Sequence, residues 1–584
     1  MRLVFDLEGD GLQPTKFWCM SALDMNTHKV YEFGPDDISK GINLLKKAEV
    51  LCGHNIIAYD LYWLKQLYGV DLTEGKEIID TLVWSRMFDP DRTGGHSLAA
   101  WGKKLAQAKP EHEDWSQYSE AMQHRCTEDV RINFRVYHEL RKRKRIFTDD
   151  SVDLEQRIAK IMHEQEIHGW FFNVKEAYVL RAKVSDELGR IEDEVRETFR
   201  PKKMFVKRVT PKKKKDGTLS KQGLRPCEYE RLKTIGFMES FDRYDTIEFN
   251  LGSRQQIGRW LTEDFGWQPT EFTETGQPKI DEKVLEGVTD IPEAKLIHRY
   301  LMLQKINSFL INWLDSVSDD GRQHGFVKTI GTVTRRMAHS KPNLAQVPSA
   351  RKLYGAECRK LFTVPSGYKL VGLDAEGLEL RMLAHYMDNP DYTKAVVSGN
   401  SKDGTDAHTL NMKLAGLDNR DQAKTMFYAL IYGAGYRKLG QIIGGGSNAG
   451  RKLKHTFLNE LPDLGDLISR VETAASRGFI KCFDGSVLNV RSIRSSLNTL
   501  LQGGGSVVVK RACVMLYDEV KRLNLDAHQV GFVHDELQWE VNSNDVDKFR
   551  EVADGIMRKA GDYYNLRCPM DGNTVVGSSW LETH

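Results

Sequence analysis

The chain has 584 residues, enough for several domains, and its 40% hydrophobic and 28% charged residues are ordinary for a soluble globular enzyme. The formal net charge of +2 says little as a total, because positive charge is concentrated in local runs. Residues 201–215 hold seven Lys and one Arg without an acid, and residues 141–145 read RKRKR. Such runs indicate either a solvated linker or contact with a polyanion.

Cysteine usage and the N-terminus exclude several classes of protein. The eight cysteines are scattered without a CxxC pair, which argues against a zinc site and a disulfide framework and fits a reducing compartment. Asp6, Glu8 and Asp10 stand where a signal peptide needs an apolar core, and no apolar run reaches the length of a membrane span. We therefore expect a cytosolic protein without a membrane partner. No internal repeat of 20–50 residues is visible.

The first residues predict a strand that carries two acids. Apolar side chains at positions 3, 5 and 7 alternate with a second face that contains Asp6 and Glu8. Two carboxylates this close raise each other's pKa unless a cation neutralises them. The pair alone is a weak sign of a metal site.

Two more acids fall on predicted helices. The stretch HNIIAYD ends at Asp60, which would lie in the first turn of a helix, where an N-cap is the alternative role. A helical segment at 120–140 carries Asp129 together with His124 and Arg125. The basic run at 141–145 then marks a domain boundary.

The region from 147 to 330 is predominantly helical in pattern. A long amphipathic helix is predicted at 179–199, followed by the Lys-rich loop, and another helix at 294–317. An elongated helical unit with a basic loop suits contact with a duplex backbone through charge, although a packed strut is the simpler interpretation of the helix.

A strand and a hairpin in the second half of the chain carry acids. The apolar run 370–373 predicts a buried strand that ends at Asp374, and Glu379 opens the amphipathic segment that follows. A lone acid there is usually a turn residue or an N-cap, so catalysis requires a second carboxylate beside it. Residues 527–541 predict a hairpin with Asp535 at its tip, next to His534.

The stretch NRDQAKTMFYALIYGAG holds the strongest single motif. Arg420, Lys424, Tyr428 and Tyr432 recur every four residues and form one stripe on a helix. Two cations followed by two aromatic rings fit a triphosphate bound by the cations and a base stacked on the rings. The acid-free stretch 331–348 adds a basic loop suited to phosphate and base-edge contacts, or simply to solvent.

Together these stretches resemble, in order, the three motifs of the DNA polymerase I family (family A). One position departs, because Glu376 stands where the family usually has Ser. The four N-terminal acids resemble the DEDD 3′–5′ exonucleases. Stretches such as NLAQVP, YGAG and LNTLLQ look most like the replicative polymerases of short-tailed bacteriophages.

The resemblance implies an α/β and α+β multidomain chain. An RNase H-like exonuclease domain would span 1–146, and a right-hand polymerase 147–584. The polymerase would comprise a thumb at about 175–315 with a basic loop at 201–222, a palm with an antiparallel sheet at about 316–405 and 480–584, and helical fingers at about 406–479.

The resemblance also implies the chemistry, which is template-directed addition of dNTPs to a primer 3′-OH with 3′–5′ proofreading. Two Mg²⁺ ions would be held at each site, and Mn²⁺ could substitute. The polymerase ligands would be Asp374, Asp535 and the carbonyl of Ala375. The exonuclease ligands would be Asp6, Glu8, Asp60 and Asp129. Polymerase-linked exonucleases usually place a Tyr where this chain has Arg125, so His124 is predicted to orient the attacking water.

Further roles follow from the same resemblance. Arg420, Lys424 and His408 would bind the triphosphate, with Lys424 also protonating the pyrophosphate, while Tyr432 would lie by the templating base. Glu379 would exclude a ribose 2′-OH, and Tyr428 would tolerate chain terminators. Contacts to primer-template DNA are implied for Arg336, Asn343, Gln346, Arg359, Asn498, Gln502 and His534.

The implied setting is replication of a phage genome in the cytoplasm of an infected bacterium, beside a helicase and a primase. Whether a thioredoxin-like processivity factor or a direct clamp on DNA sustains synthesis stays open. Three other functions are alternatives: a nuclease whose second half only binds DNA, a single-subunit RNA polymerase, and a structural protein that binds single-stranded nucleic acid.

Overall fold

The structure is a computed structural model that describes residues 1–236 and 239–584. The chain forms two compact units. The first comprises Met1–Asn173, Ser316–Ser349 and Cys358–His584, and the second Val174–Asp315 and Ala350–Glu357. The predicted exonuclease segment lies within the first unit, together with the segments predicted as palm and fingers.

The N-terminal part of the first unit is a five-stranded sheet with helices. Its sheet order is β3-β2-β1-β4-β5, with β1 antiparallel to β2 and parallel to β4. The predicted strand at 1–8 and the helix at 120–140 are both present. The elements are β1 (Arg2–Gly9), β2 (Phe17–Asp24), β3 (Val30–Phe33), α1 (Ile38–Lys46), β4 (Val50–Gly53), α2 (Asp60–Tyr68), β5 (Glu77–Asp80), α3 (Thr81–Phe88), α4 (Leu98–Lys104) and α5 (Glu120–Lys144).

The chain continues through α6 (Asp149–His168) and β6 (Trp170–Phe171) into the second unit. That unit contains α7 (Val174–Thr198), β7 (Lys202–Val209), α8 (Pro226–Ile235), β8 (Phe241–Ile247), α9 (Arg254–Phe265), α10 (Glu282–Glu286) and α11 (Pro292–Ser316). The predicted loop at 201–215 is wrong in its first half, because β7 pairs with β8 in an antiparallel ribbon. The β-branched residues Val206 and Val209 break the Lys run and favour a strand.

The rest of the first unit is built on a second sheet, all antiparallel, in the order β15-β16-β12-β17. The elements are β9 (Arg322–Gln323), β10 (Phe326–Lys328), β11 (Ala338–Ser340), α12 (Gly355–Lys360), β12 (Tyr368–Ala375), α13 (Leu378–Met387), α14 (Pro390–Val397), α15 (Ala407–Leu414), α16 (Arg420–Ile431), α17 (Tyr436–Ile442), α18 (Ser447–Glu460), α19 (Pro462–Ala475), β13 (Phe479–Lys481), β14 (Val487–Asn489), α20 (Ser496–Arg522), β15 (Ala527–Val533), β16 (Glu536–Asn542), α21 (Val546–Ala553), α22 (Ile556–Tyr563) and β17 (Gly572–Gly577).

Helix α20 forms the core of this part, and it has 27 residues, most of them buried. Small residues let α13 approach it closely. A Cβ at Gly504 would lie 2.9 Å from the Met382 sulfur, and one at Gly505 would lie 2.9 Å from Leu378 Cδ2. This close packing fixes the start of α13, where Glu379 lies. None of the described helices is both long and apolar enough to cross a membrane.

A buried ion network, formed by Glu155, Arg335, Asp484 and Lys510, joins four segments of the first unit. Lys510 Nζ donates to both Glu155 carboxylate oxygens at 2.8 and 2.9 Å, and Arg335 Nη1 lies 2.9 Å from Asp484 Oδ2. All four side chains are at most 3% exposed. The network fixes the loop that presents the next residue, Arg336.

Candidate active site

The hairpin tip brings the two predicted carboxylates together. Asp374 is the second-to-last residue of β12 and pairs across the sheet with Glu536, the first residue of β16. The β15–β16 turn consists of His534 and Asp535, and His534 adopts a left-handed φ of 60°. The Ala375 N–H donates to the Asp535 carbonyl at 3.2 Å. The predicted strand and hairpin are therefore present, and their tips are adjacent.

Both carboxylates are less acidic than usual. Burial, followed by the nearby charges of Asp535 and Glu536, raises the pKa of Asp374 to about 6. Burial also raises the pKa of Asp535. Such a pair is stabilised in its ionised form by a bound cation. The donor set of hard oxygens fits Mg²⁺.

Glu536 serves as an anchor for the end of the chain. It is 3% exposed, and it accepts hydrogen bonds from Trp580 Nε1 at 2.6 Å and His584 Nδ1 at 2.9 Å. The hydrogen bond to Glu536 raises the pKa of His584. The charge of a protonated His584 also lowers the pKa of Asp374, against the larger effect of burial.

The predicted stripe lies on α16, and Asn419 caps this helix by accepting from the Gln422 N–H. Arg420 Nη2 lies 2.7 Å from Asp406 Oδ1. Burial alone would raise the pKa of Asp406, but hydrogen bonds from Arg420 and Thr409 bring it to about 2. Asp406 is therefore an anion that orients the Arg420 guanidinium.

The aromatic half of the stripe, Tyr428 and Tyr432, forms a row of rings with His408. The ring centroids of His408 and Tyr428 are 5.8 Å apart, and those of Tyr428 and Tyr432 are 6.1 Å apart. Tyr432 lies just after the last helical residue and is 44% exposed. Lys424 is also exposed on this helix. Two cations and a stacking surface thus stand along one stripe, as the spacing predicts.

Glu379 is held by two partners that the sequence did not reveal. The Tyr432 hydroxyl donates to Glu379 Oε2 at 2.6 Å, and Arg336 Nη2 lies 3.4 Å from Oε1. Burial and this hydrogen bond raise the pKa of Tyr432. The carboxylate is consequently fixed between the start of α13, the end of α16 and the loop before β11.

The predicted DNA-contacting residues differ in their surroundings. Gln346 and His534 are exposed, while Gln502 is half-buried. Within the described residues, Asn343 Oδ1 and Asn498 Oδ1 are buried without a hydrogen-bond partner. Buried polar atoms are nearly always paired, so these two amides are suited to a polar ligand.

Arg359 has a more structural environment than predicted. It is 6% exposed, its guanidinium lies 4.4 Å from the Trp580 ring, and its Nε donates to the Pro348 carbonyl at 3.0 Å. Burial lowers its pKa. Its Nη1, like the two asparagine oxygens, is buried without a hydrogen-bond partner among the described residues, so its contact with DNA stays a prediction.

A second carboxylate cluster lies on the N-terminal sheet. Ligand oxygens of Asp6, Glu8 and Asp129 lie within 4.8 Å of one another. Asp60 Oδ1 accepts the Leu7 N–H at 2.9 Å, between the two β1 acids. Burial raises the pKa of Glu8 to about 7, that of Asp60 to about 8, and that of Asp6 well above its ordinary value. The set therefore fits divalent metal ions, which would favour the ionised carboxylates.

Two cations touch this cluster, and His124 is not one of them. Lys109 forms an ion pair with Asp129, and Arg125 Nε lies 3.4 Å from Glu8 Oε1. His124 is exposed on α5. Around a helix axis, residues four positions apart are separated by about 40°, whereas residues five positions apart are separated by about 140°. Arg125 therefore shares the face of Asp129, whereas His124 lies on another face of α5, and the role given to His124 stays a prediction.

Comparisons with known proteins identify the family of this chain. A family model described as DNA polymerase family A matches residues 233–582. The chain is also 31% identical to the DNA-directed DNA polymerases of Enterobacteria phage T3 and Escherichia phage T7. Each alignment covers 100% of this chain and 100% of the phage protein. The chain belongs to DNA polymerase family A. The family predicted from the motifs is thereby confirmed.

Further comparisons match part of the chain in sequence or all of it in fold. DNA polymerase I of Pseudomonas aeruginosa is 29% identical over 58% of this chain and 39% of that protein. Among solved structures, the one described as the POL domain of Pol1 from M. smegmatis in complex with DNA primer-template and dNTP has a TM-score of 0.76 and 18% identity. It covers all of this chain and 96% of that one, which shows a shared fold.

The departure of this family A chain at Glu376 has a local explanation. Glu376 is exposed, with a side chain 3.4 Å from Arg381 Nη2, and its backbone carbonyl accepts from Arg381 Nε at 2.8 Å. The residue thus stabilises the turn between β12 and α13 and leaves Asp374 and Glu379 in place. Lys109 and His584 were missed because neither belongs to a periodic pattern.

Proposed function

We propose that this family A chain is a template-directed DNA polymerase that extends a primer 3′-OH with dNTPs by two-metal phosphoryl transfer. The observation that carries the proposal is the Ala375–Asp535 backbone hydrogen bond, which sets Asp374 beside Asp535 at two strand ends. Asp374, Asp535 and the Ala375 carbonyl would hold two Mg²⁺ ions. When bound, these ions supply the positive charge that favours ionisation of the 3′-OH and departure of pyrophosphate.

The residues of α16 would bind and orient the nucleotide. Arg420 and Lys424 would contact the triphosphate, with Asp406 keeping the Arg420 guanidinium in one orientation. His408 would contact the β-phosphate, and Lys424 would give a proton to the pyrophosphate. Glu379 would exclude the ribose 2′-OH, because its carboxylate has little freedom to move aside.

We further propose a 3′–5′ proofreading activity at the N-terminal cluster. Asp6, Glu8, Asp60 and Asp129 would hold two Mg²⁺ ions, which when bound would activate a water and stabilise the leaving 3′ oxygen. The raised pKa values and close oxygens of this cluster support the proposal. The sheet that carries it is consistent with an RNase H-like domain.

The proposed partners are primer-template DNA and dNTPs, as in the complex named for the M. smegmatis structure. The proposed setting is phage genome replication in the cytoplasm of an infected bacterium, with a helicase and a primase. Product length measured with and without thioredoxin, and after neutralising residues 212–215, decides between a processivity factor and a direct clamp.

Primer extension with dNTPs, rNTPs or no nucleotide tests both activities. The wild type should extend only with dNTPs and shorten the primer without nucleotide. Asp374→Asn should abolish extension and keep shortening, while Asp60→Asn should do the reverse. Extension with rNTPs would indicate an RNA polymerase, shortening alone a nuclease, and neither reaction a DNA-binding protein.

A further inference from the structure

The β7–β8 ribbon of the second unit carries an exposed aromatic pair. Phe205 lies opposite Tyr244 in the strand register, and the two rings meet edge to face with centroids 5.9 Å apart. The residues are 56% and 47% exposed, respectively. Because burial of an aromatic ring is favourable, two adjacent rings left in solvent point to a partner.

The two faces of the ribbon have different environments. On one face, Lys202 lies 2.7 and 2.8 Å from the carboxylates of Asp264 and Glu263 on α9, and Met204 is half-buried. On the other face, the aromatic pair and its neighbours are exposed. The ribbon is therefore attached to its unit through one face and leaves the aromatic face open.

The open face is also basic. Lys203 lies on the aromatic side, with its Nζ 5.6 Å from the Tyr244 ring centroid. A register shift between Phe205 and Lys207 places Lys207 opposite Arg243, on the attached face, and Arg208 opposite Asp242, on the open face. Arg208 is exposed and lies 3.8 Å from Asp242, so its charge is only partly neutralised. Lys203 and Arg208 thus flank the two rings on the open face.

We infer that this face binds single-stranded DNA, with bases stacked on Phe205 and Tyr244 and flanking phosphates bound by Lys203 and Arg208. Exposed rings between cations are the combination that single strands require, since their bases are free to stack. A duplex offers phosphates but keeps its bases inside. An acidic protein segment would match the two cations but leave the flat rings without a matching surface. The inference rests on the proposed function only for the source of the strand, the unpaired template.

A circular oligothymidylate with an internal fluorophore provides the probe. It has no end for an exonuclease site and no duplex for a polymerase site, and EDTA prevents cleavage. Binding to the full chain is followed by fluorescence anisotropy. Phe205→Ala/Tyr244→Ala should weaken binding at least tenfold, since each stacked base contributes about 1–3 kcal/mol. Tyr178→Ala, which removes another ring that is 56% exposed in the same unit, should leave binding unchanged.

Further variants separate stacking from charge. Lys203→Gln should lower the salt dependence of binding, because one phosphate contact is lost. Phe205→Leu/Tyr244→Leu keeps apolar side chains on the ribbon and should weaken binding like the alanine pair. Melting curves establish that each variant is folded.

The outcomes are distinguishable from those of the proposed function. Unchanged binding by the alanine pair, or an equal loss on a closed duplex circle, would overturn the inference even if primers are extended normally. If the alanine pair loses circle binding while the wild type fails to extend primers, the inference stands and the proposed polymerase activity is refuted. The alanine pair should extend a primer over five template nucleotides at the same rate as the wild type.

Discussion

The sugar selection proposed for Glu379 would depend on how firmly its carboxylate is held, and Tyr432 donates a hydrogen bond of 2.6 Å to it. Tyr432→Phe removes this donor and retains the ring. A hydrogen bond to a charged group contributes about 1.5–3 kcal/mol, so we expect dNTP-over-rNTP discrimination to fall about tenfold. Single-nucleotide incorporation measures the ratio. Tyr436→Phe is the control, since Tyr436 is equally exposed at 44%, and an unchanged ratio in Tyr432→Phe would contradict this role.

Arg125 and His124, neighbours on α5, offer a second test at the level of single residues. Arg125 approaches Glu8, whereas His124 is exposed on the same helix. We expect Arg125→Ala to slow primer shortening at least tenfold, because a cation beside the acids would be lost, and His124→Ala to leave it unchanged. Shortening rates on a single-stranded oligonucleotide provide the comparison. The reverse ranking would support the role predicted from the sequence.

Single elements were the part of the molecule most open to prediction from sequence. The strand ending at Asp374, the hairpin around Asp535 and the α16 stripe are encoded by local apolar runs and four-residue spacing. The first half of the 201–215 loop was misjudged, because its lysine content obscured two β-branched residues. Charge describes a surface, whereas strand formation depends on backbone preference and cross-strand contacts.

The buried ion network links α6, α20 and the turn between β13 and β14. Lys510→Met would leave Glu155 ionised beside Arg335 alone, and removing one partner of a buried pair costs about 3–5 kcal/mol. We expect the free energy of unfolding to drop by about that amount in chemical denaturation. Arg196→Ala removes an exposed pair with Asp193 at 73% and 75% exposure, and should change it by less than about 0.5 kcal/mol. Equal effects would show that the network contributes little.

The candidate sites are formed by residues that lie far apart in the sequence, so they could not be predicted from local patterns. Glu379 and Tyr432 are separated by 53 positions, and His584 reaches Glu536 across 48, so no local pattern joins them. The family resemblance assigned roles to several of these residues. It did not reveal that Asp406 orients Arg420 or that Lys109 contacts Asp129, because such contacts arise only when distant segments pack.

Acid sensitivity is a property of the whole first unit. Burial lowers the pKa of His163, His339 and His385 to about 4, and His385 Nδ1 accepts the Arg567 N–H at 3.1 Å. An imidazolium cannot accept this bond, so the folded state takes up a proton less readily than the unfolded chain. A depressed folded-state pKa means that the stability each histidine contributes is complete above pH 6.5 and falls as the pH drops toward 4, by at most about 1.4 kcal/mol per pH unit. Glu8, Asp60 and Asp374, whose pKa values are raised, act in the opposite direction over the same window, so the test is the difference between the wild type and a histidine variant. His385→Asn retains an acceptor without a titrating ring, and we expect its melting temperature, relative to that of the wild type, to rise as the pH falls from 6.5 toward 4. An unchanged difference between the two proteins would show that His385 does not contribute.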